Sequence, residues 1–114
     1  MALFRCGELG GVDIMNPDVT SQFSLNGGVA NYTVNVTKKP KYLMRLAGRS
    51  TSVDYLWFFD FVKEELYYYG YDGSTYKEKA PLTYSNYVVS ISSSSVTLVN
   101  DNSNGTANTV LVWY

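Results

Sequence analysis

The one grouping of side chains able to share acid–base work is Asp60 with Glu64 or Glu65. Two carboxylates about 5 to 10 Å apart can divide the general-acid and general-base roles of glycoside hydrolysis. Glu64 and Glu65, however, follow Lys63 in a short polar connection between two apolar runs, where charge is what a solvated turn ordinarily carries, so no hydrolase is expected. The chain has no histidine, which removes Ser-His and Cys-His nucleophile activation together with histidine metal sites. Cys6 is the only cysteine. It can form neither an intrachain disulfide nor a cysteine zinc site, and packing alone must hold the fold.

A second oxygen-rich stretch, Asp-Asn-Ser-Asn-Gly-Thr from Asp101, alternates Asp101, Ser103 and Gly105 like the opening of a calcium loop. The twelfth position, where an EF-hand places a bidentate Glu, is Val112, so that pattern fails. Gly27-Gly28 is followed by a strand pattern rather than by the helix start that a phosphate loop needs. No catalytic set, cofactor or metal is therefore expected, and the glycines read as turns.

These residues must be carried by a single domain, as 114 residues imply. With 46% hydrophobic residues, 17% charged and a formal net charge of −1, the composition is globular and lacks the basic footprint of a nucleic-acid binder. Lys38, Lys39 and Lys41 cluster, but Asp54 and Asp60 soon follow, and the three read as a solvated turn. The first fifteen residues show no apolar run behind a basic segment, so no signal peptide is expected and synthesis in a bacterial cytoplasm is. No run approaches the roughly 20 apolar residues that span a bilayer, and no membrane role is expected. The Asn-x-Thr triplets at Asn31, Asn35 and Asn104 then read as polar strand and turn positions.

Periodicity throughout is that of strands. Ala30, Tyr32, Val34 and Val36 alternate with Asn31, Thr33, Asn35 and Thr37, the signature of a strand with one wet face. Gln22 to Leu25 reads as a short strand turned into it by Asn26-Gly27, a pair suited to tight hairpins. Another strand follows Pro40. Residues 53–62 place Tyr55, Trp57, Phe59 and Phe61 on one face and Leu56, Phe58 and Val62 on the other, which predicts a central strand. Residues 66–71 return as its hairpin partner, and Asp72-Gly73 turns the chain into a short strand at 75–78, with Pro81 marking an edge or loop. A further hairpin folds at Ser92 to Ser94, and Asp101 to Asn108 precedes the last strand. Eight or nine short strands without a helix predict a single antiparallel β-sandwich, jelly-roll-like or Ig-like, over 21–114. Residues 1–20, punctuated by Gly7, Gly10, Gly11 and Pro17, are expected to form an irregular arm that packs on its own domain or reaches a neighbouring subunit.

Residues 64–76, Glu-Glu-Leu-Tyr-Tyr-Tyr-Gly-Tyr-Asp-Gly-Ser-Thr-Tyr, hold the densest run of tyrosine. Alternation sends Leu66 and Tyr68 to one face and Tyr67, Tyr69 and Tyr71 to the other. Eleven tyrosines, five phenylalanines and two tryptophans exceed what one small core holds at about 150 to 250 Å² per ring. A stripe is expected outside, with Trp57, Tyr67, Tyr69, Tyr71 and Tyr76 as its candidates. Three uses compete: stacking on sugar rings, a protein interface, or cross-strand pairing on a solvated face, which contributes about 0.2 to 1 kcal/mol per pair and needs no ligand.

The opening Met-Ala-Leu-Phe-Arg-Cys-Gly, the short Tyr- and Ser-rich strands and the Tyr-Asp-Gly-Ser-Thr-Tyr-Lys-Glu turn at 71–78 resemble small structural proteins of phages and prophages, of tail-associated, head-decoration or receptor-binding type. The resemblance covers the chain in style and carries no residue role. It implies a non-enzymatic, oligomeric virion protein, a dimer or trimer, whose partners are other virion proteins or a cell-surface glycan. A carbohydrate-binding module and a protein interaction domain without a glycan role stand as alternatives.

Overall fold

The computed structural model describes residues 8–9, 12–13, 15–24, 31–49, 52–71, 76–78, 82–100 and 107–114. They form an all-β antiparallel sandwich with no α-helix among the described residues. The strands are β1 (Glu8–Leu9), β2 (Val12–Asp13), β3 (Val19–Ser24), β4 (Asn31–Asn35), β5 (Tyr42–Arg49), β6 (Ser52–Asp60), β7 (Glu65–Tyr71), β8 (Tyr76–Glu78), β9 (Val88–Ile91), β10 (Ser95–Val99) and β11 (Ala107–Trp113). A six-stranded sheet of order β3-β11-β5-β6-β7-β8 packs on a three-stranded sheet of order β4-β10-β9, while β1 and β2 pair by themselves. One 3-10 turn, Tyr84–Asn86, leads into β9.

Period-two alternation builds the core between the layers. On the small sheet Tyr32 and Val34 of β4 and Val96 and Leu98 of β10 turn inward. They meet Leu43, Trp57, Phe59, Leu66, Val110 and Val112 from the large sheet. The wet face predicted for 30–37 is present: Asn31, Thr33 and Asn35 are exposed, and the Thr33 and Thr97 hydroxyls lie 2.9 Å apart across the ladder. Lys38, Lys39 and Lys41 are exposed in the connection that follows.

β6 is central, as its two apolar faces require, with β5 on one side and β7 on the other. The β6–β7, β7–β8 and β9–β10 hairpins lie where the turn residues put them. The predicted hairpin across Asn26-Gly27 does not form: β3 pairs with β11 in the large sheet, whereas β4 pairs with β10 in the small one. A turn-forming dipeptide sets a local reversal of direction, but the inward face of β4 is satisfied only in the opposite layer, so the chain crosses between sheets there. Residues 25–30 themselves lie outside the described residues, as do 72–75, Pro81 and 101–106.

Within the stretch expected to be irregular, β1 and β2 form a two-residue ladder and β3 already begins at Val19. Its later part docks on its own C-terminal strand. Asp18 N–H donates to Val112 O (2.8 Å), Tyr114 N–H donates to Asp18 Oδ2 (2.8 Å), and the Trp113 indole N–H donates to Asp13 O (3.1 Å).

Candidate functional site on the outer sheet face

The large sheet is apolar on both faces. On the side turned away from the sandwich core, register brings Trp113 opposite Tyr42, Met44 opposite both Leu111 and Phe58, and Leu46 opposite Leu56. Phe58 then faces Tyr67, and Leu56 faces Tyr69, on β7. Tyr42, Met44, Phe58 and Trp113 make a second buried cluster, with Phe58 and Trp113 each only 1% exposed. Half-buried Leu46, Leu56, Tyr67 and Leu111 rim it. Tyr42 and Phe58 stack with centroids 5.8 Å apart, and Phe58 meets Tyr67 at 6.3 Å in a tilted pair.

The polar end of this face is organised by the β6–β7 turn. Asp60 is buried and its Oδ1 accepts from Val62 N–H (3.0 Å) and Lys63 N–H (2.9 Å), which ties the turn to the end of β6. Glu64 takes φ 57°, the left-handed conformation that closes the reversal. The Tyr67 hydroxyl donates to Glu65 Oε2, and that bond pushes the Tyr67 pKa up to about 12. Burial, with Asp60 nearby, raises the Tyr42 pKa as well. The acidic grouping read from sequence is thus engaged in local structure: Asp60 holds the turn and Glu65 holds a phenol.

The five candidate residues separate. Tyr67 and Tyr69 occupy the outer face, both half-buried rather than fully exposed. Tyr71 and Tyr76 are cross-strand partners at the β7–β8 step, and their side chains lie outside the described residues. Trp57 does not belong with them. It is 3% exposed in the sandwich core, where register pairs it with Tyr68, and the two rings stack 4.9 Å apart. Strand parity gives the reason, since Trp57 and Phe58 point to opposite faces and Tyr67 answers Phe58. Tyr42, Phe58 and Trp113, the deepest aromatics of the outer face, are not in the expected stripe; the two-sided apolar pattern of 53–62 is the signal for Phe58.

A feature absent from the sequence reading lies at one end of the core. Arg45, a lone cation in the apolar run Tyr-Leu-Met-Arg-Leu, is 1% exposed. Its guanidinium sits 4.7 Å from the Tyr32 ring centroid and 4.8 Å from that of Trp57, one from each sheet. Nε donates to Asn108 Oδ1 (2.9 Å) and Nη2 to Asn100 Oδ1 (3.1 Å). Burial pushes the Tyr32 phenol up to about 12. Two aromatic faces and two amide oxygens replace the water that a buried guanidinium gives up.

Among the described residues no three His, Cys, Asp or Glu side chains converge as metal ligands, and the Asp101 stretch is not among them. No described helix is long and apolar enough to cross a membrane. Comparison with protein-family models, with curated proteins and with solved structures finds no match to this chain.

Proposed function

We propose that this chain is a non-enzymatic structural protein of a phage or prophage virion, which decorates the particle or contributes to host-surface attachment as a homo-oligomer. The observation that supports this reading is the second apolar face of the large sheet. A two-layer sandwich needs one apolar face per sheet, with the other turned to water. Here the outer face carries Tyr42, Phe58, Trp113 and Met44, with a rim of Leu46, Leu56, Tyr67 and Leu111 that is only half covered. A contiguous apolar rim of this kind is the usual mark of a contact surface. Tyrosine suits such a surface because it offers large contact area at small entropic cost and keeps a hydroxyl for polar partners. Many copies presented together convert weak individual contacts into avidity.

The test is solution mass by light scattering over a range of concentrations, on wild type and on Tyr67→Ser/Tyr69→Ser, alongside mass spectrometry of purified virions from the strain that carries the gene. An oligomer that the double substitution weakens, with the chain recovered in the particles, is the expected result. Absence from the particles would remove the virion reading. Folded monomers in both cases would show that the tyrosine rim joins no second copy and turn attention to glycan stacking.

A further inference from the structure

Among the described residues no strand lies on the outer edge of β4, whose hydrogen-bonding phase can be read from its neighbours. Val36 N–H donates to Ser94 O (3.0 Å), so Val36, Val34 and Tyr32 are the residues that exchange hydrogen bonds with β10. The far side of β10 has the complementary phase, with Ser92 N–H on Ser95 O and Val99 N–H on Tyr87 O, both at 2.9 Å. Alternation therefore points the N–H and C=O groups of Asn31, Thr33 and Asn35 away from β10, to the side where the sheet order places no strand among the described residues. The side chains of all three are exposed.

We propose that β4 pairs antiparallel with β4 of a second copy, about a two-fold axis through Thr33. This interface rests on the homo-oligomer reading above and adds to the outer face of the large sheet a second contact between copies, on the small sheet. The strand Asn-Tyr-Thr-Val-Asn carries the same outward residue types read from either end, as an isologous contact requires. Thr33 then faces its own symmetry mate, and Asn31 faces Asn35 of the partner subunit. Three N–H and three C=O groups on each strand find partners, and every opposed outward pair is neutral. Tyr32 and Val34 alternate inward and extend a continuous buried layer. The product is a continuous six-stranded sheet of order β9-β10-β4-β4-β10-β9, each half of which packs on the large sheet of its own protomer.

Edge strands that avoid pairing are kept short or carry a charge, a proline or a bulge. β4 has no charge, proline or bulge over its five residues. β9 at the opposite edge is irregular against β10, at Thr97/Leu98, and β8 is only three residues long. β3, Val-Thr-Ser-Gln-Phe-Ser, lacks the two-fold pattern.

The experiment is a cysteine scan in the full chain with Cys6→Ser. Opposed residues of a hydrogen-bonded antiparallel pair have Cα atoms about 5.5 Å apart, within the roughly 4.4 to 6.8 Å that a disulfide spans. Thr33→Cys should give a dimer under mild oxidation that reductant dissolves, whereas Ser93→Cys, exposed on the β9–β10 turn, should stay monomeric on a reducing-free gel. Thr33→Lys places like charges face to face and should halve the mass of a dimer while the protein still melts cooperatively. If Thr33→Lys fails to fold, the cross-link decides. An oligomer unchanged by Thr33→Lys, with no Thr33→Cys cross-link, overturns this interface and leaves the oligomer reading standing. A wild type that is monomeric at every concentration overturns both.

Discussion

The guanidinium of Arg45 lies 4.8 Å from the centroid of the Trp57 ring, with both side chains enclosed between the sheets. Lysine at this position keeps the charge but loses the planar stack and the fork that reaches Asn108 and Asn100. Arg45→Lys is expected to cost about 2 to 4 kcal/mol, the scale of a desolvated cation–π contact together with a charged hydrogen bond. Urea unfolding measures it, and a loss within about 0.5 kcal/mol, the range of ordinary surface changes, would show that the stack does not hold the core.

Trp57 and Tyr67 should behave as residues of two different surfaces. Trp57→Ala empties a site in the main core and should cost about 3 to 5 kcal/mol. Tyr67→Ser, on the half-covered outer rim, should cost less than about 2 kcal/mol, as partial burial implies. Equal losses in thermal or urea melts would contradict the face assignment. Because Trp57 and Trp113 are the only two tryptophans and both are buried, native fluorescence should be blue-shifted and resist iodide, with the shift lost on unfolding.

Alkaline titration separates Tyr32 and Tyr67 from ordinary tyrosines. Both have folded-state values of about 12 against an ordinary 10.0, Tyr32 chiefly by burial and Tyr67 chiefly through its bond to Glu65. A raised folded value means that the folded state holds the proton more tightly. The associated stability is whole below pH 10 and drains away as pH rises toward 12. Ultraviolet difference spectra should show a late phenolate step, smaller by one ring in Tyr67→Phe. A late step of unchanged size in Tyr67→Phe would rule out the Glu65 bond in solution.

The β6–β7 turn offers a paired test. Asp60→Ala strips two backbone N–H groups of their acceptor and should destabilise by about 1 to 3 kcal/mol. Glu64→Gly relieves the left-handed backbone and should be neutral or stabilising by up to about 1 kcal/mol. Destabilisation by the glycine, measured in the same melts, would mean that the Glu64 side chain carries weight that the backbone does not explain.

Local rules made much of this fold readable. Alternation over 30–37 and 53–62 fixed which residues share a face, and Lys63-Glu64-Glu65, Asp72-Gly73 and Ser92–Ser94 located three hairpins, because a turn and its two flanking strands are neighbours in sequence. Partner choice across the sandwich was not readable in the same way. Asn26-Gly27 signals a reversal, yet β3 and β4 go to different sheets because their partners β11 and β10 are distant in the chain. A related limit put Trp57 with the outer tyrosines: parity separates the two faces of one strand, but the register that sets Phe58, and not Trp57, against Tyr67 belongs to the β6–β7 pair. Arg45 carried no signal of its own, since a single cation in an apolar strand looks identical whether it reaches water or lies between two rings.

β11 sits between β3 and β5, so the last strand in sequence is inserted between the first strand of the large sheet and the meander that follows it. During synthesis β5 to β8 can form a ladder early, but β3 has no neighbour and the inner face lacks Val110 and Val112 until β11 emerges. Completion of the sheet is thereby deferred until β11 has been made, and non-local closure of this kind is slow. A chain stopped before residue 107 would leave the facing edges of β3 and β5 unsealed, and unpaired edges of that kind make partly folded chains prone to aggregate.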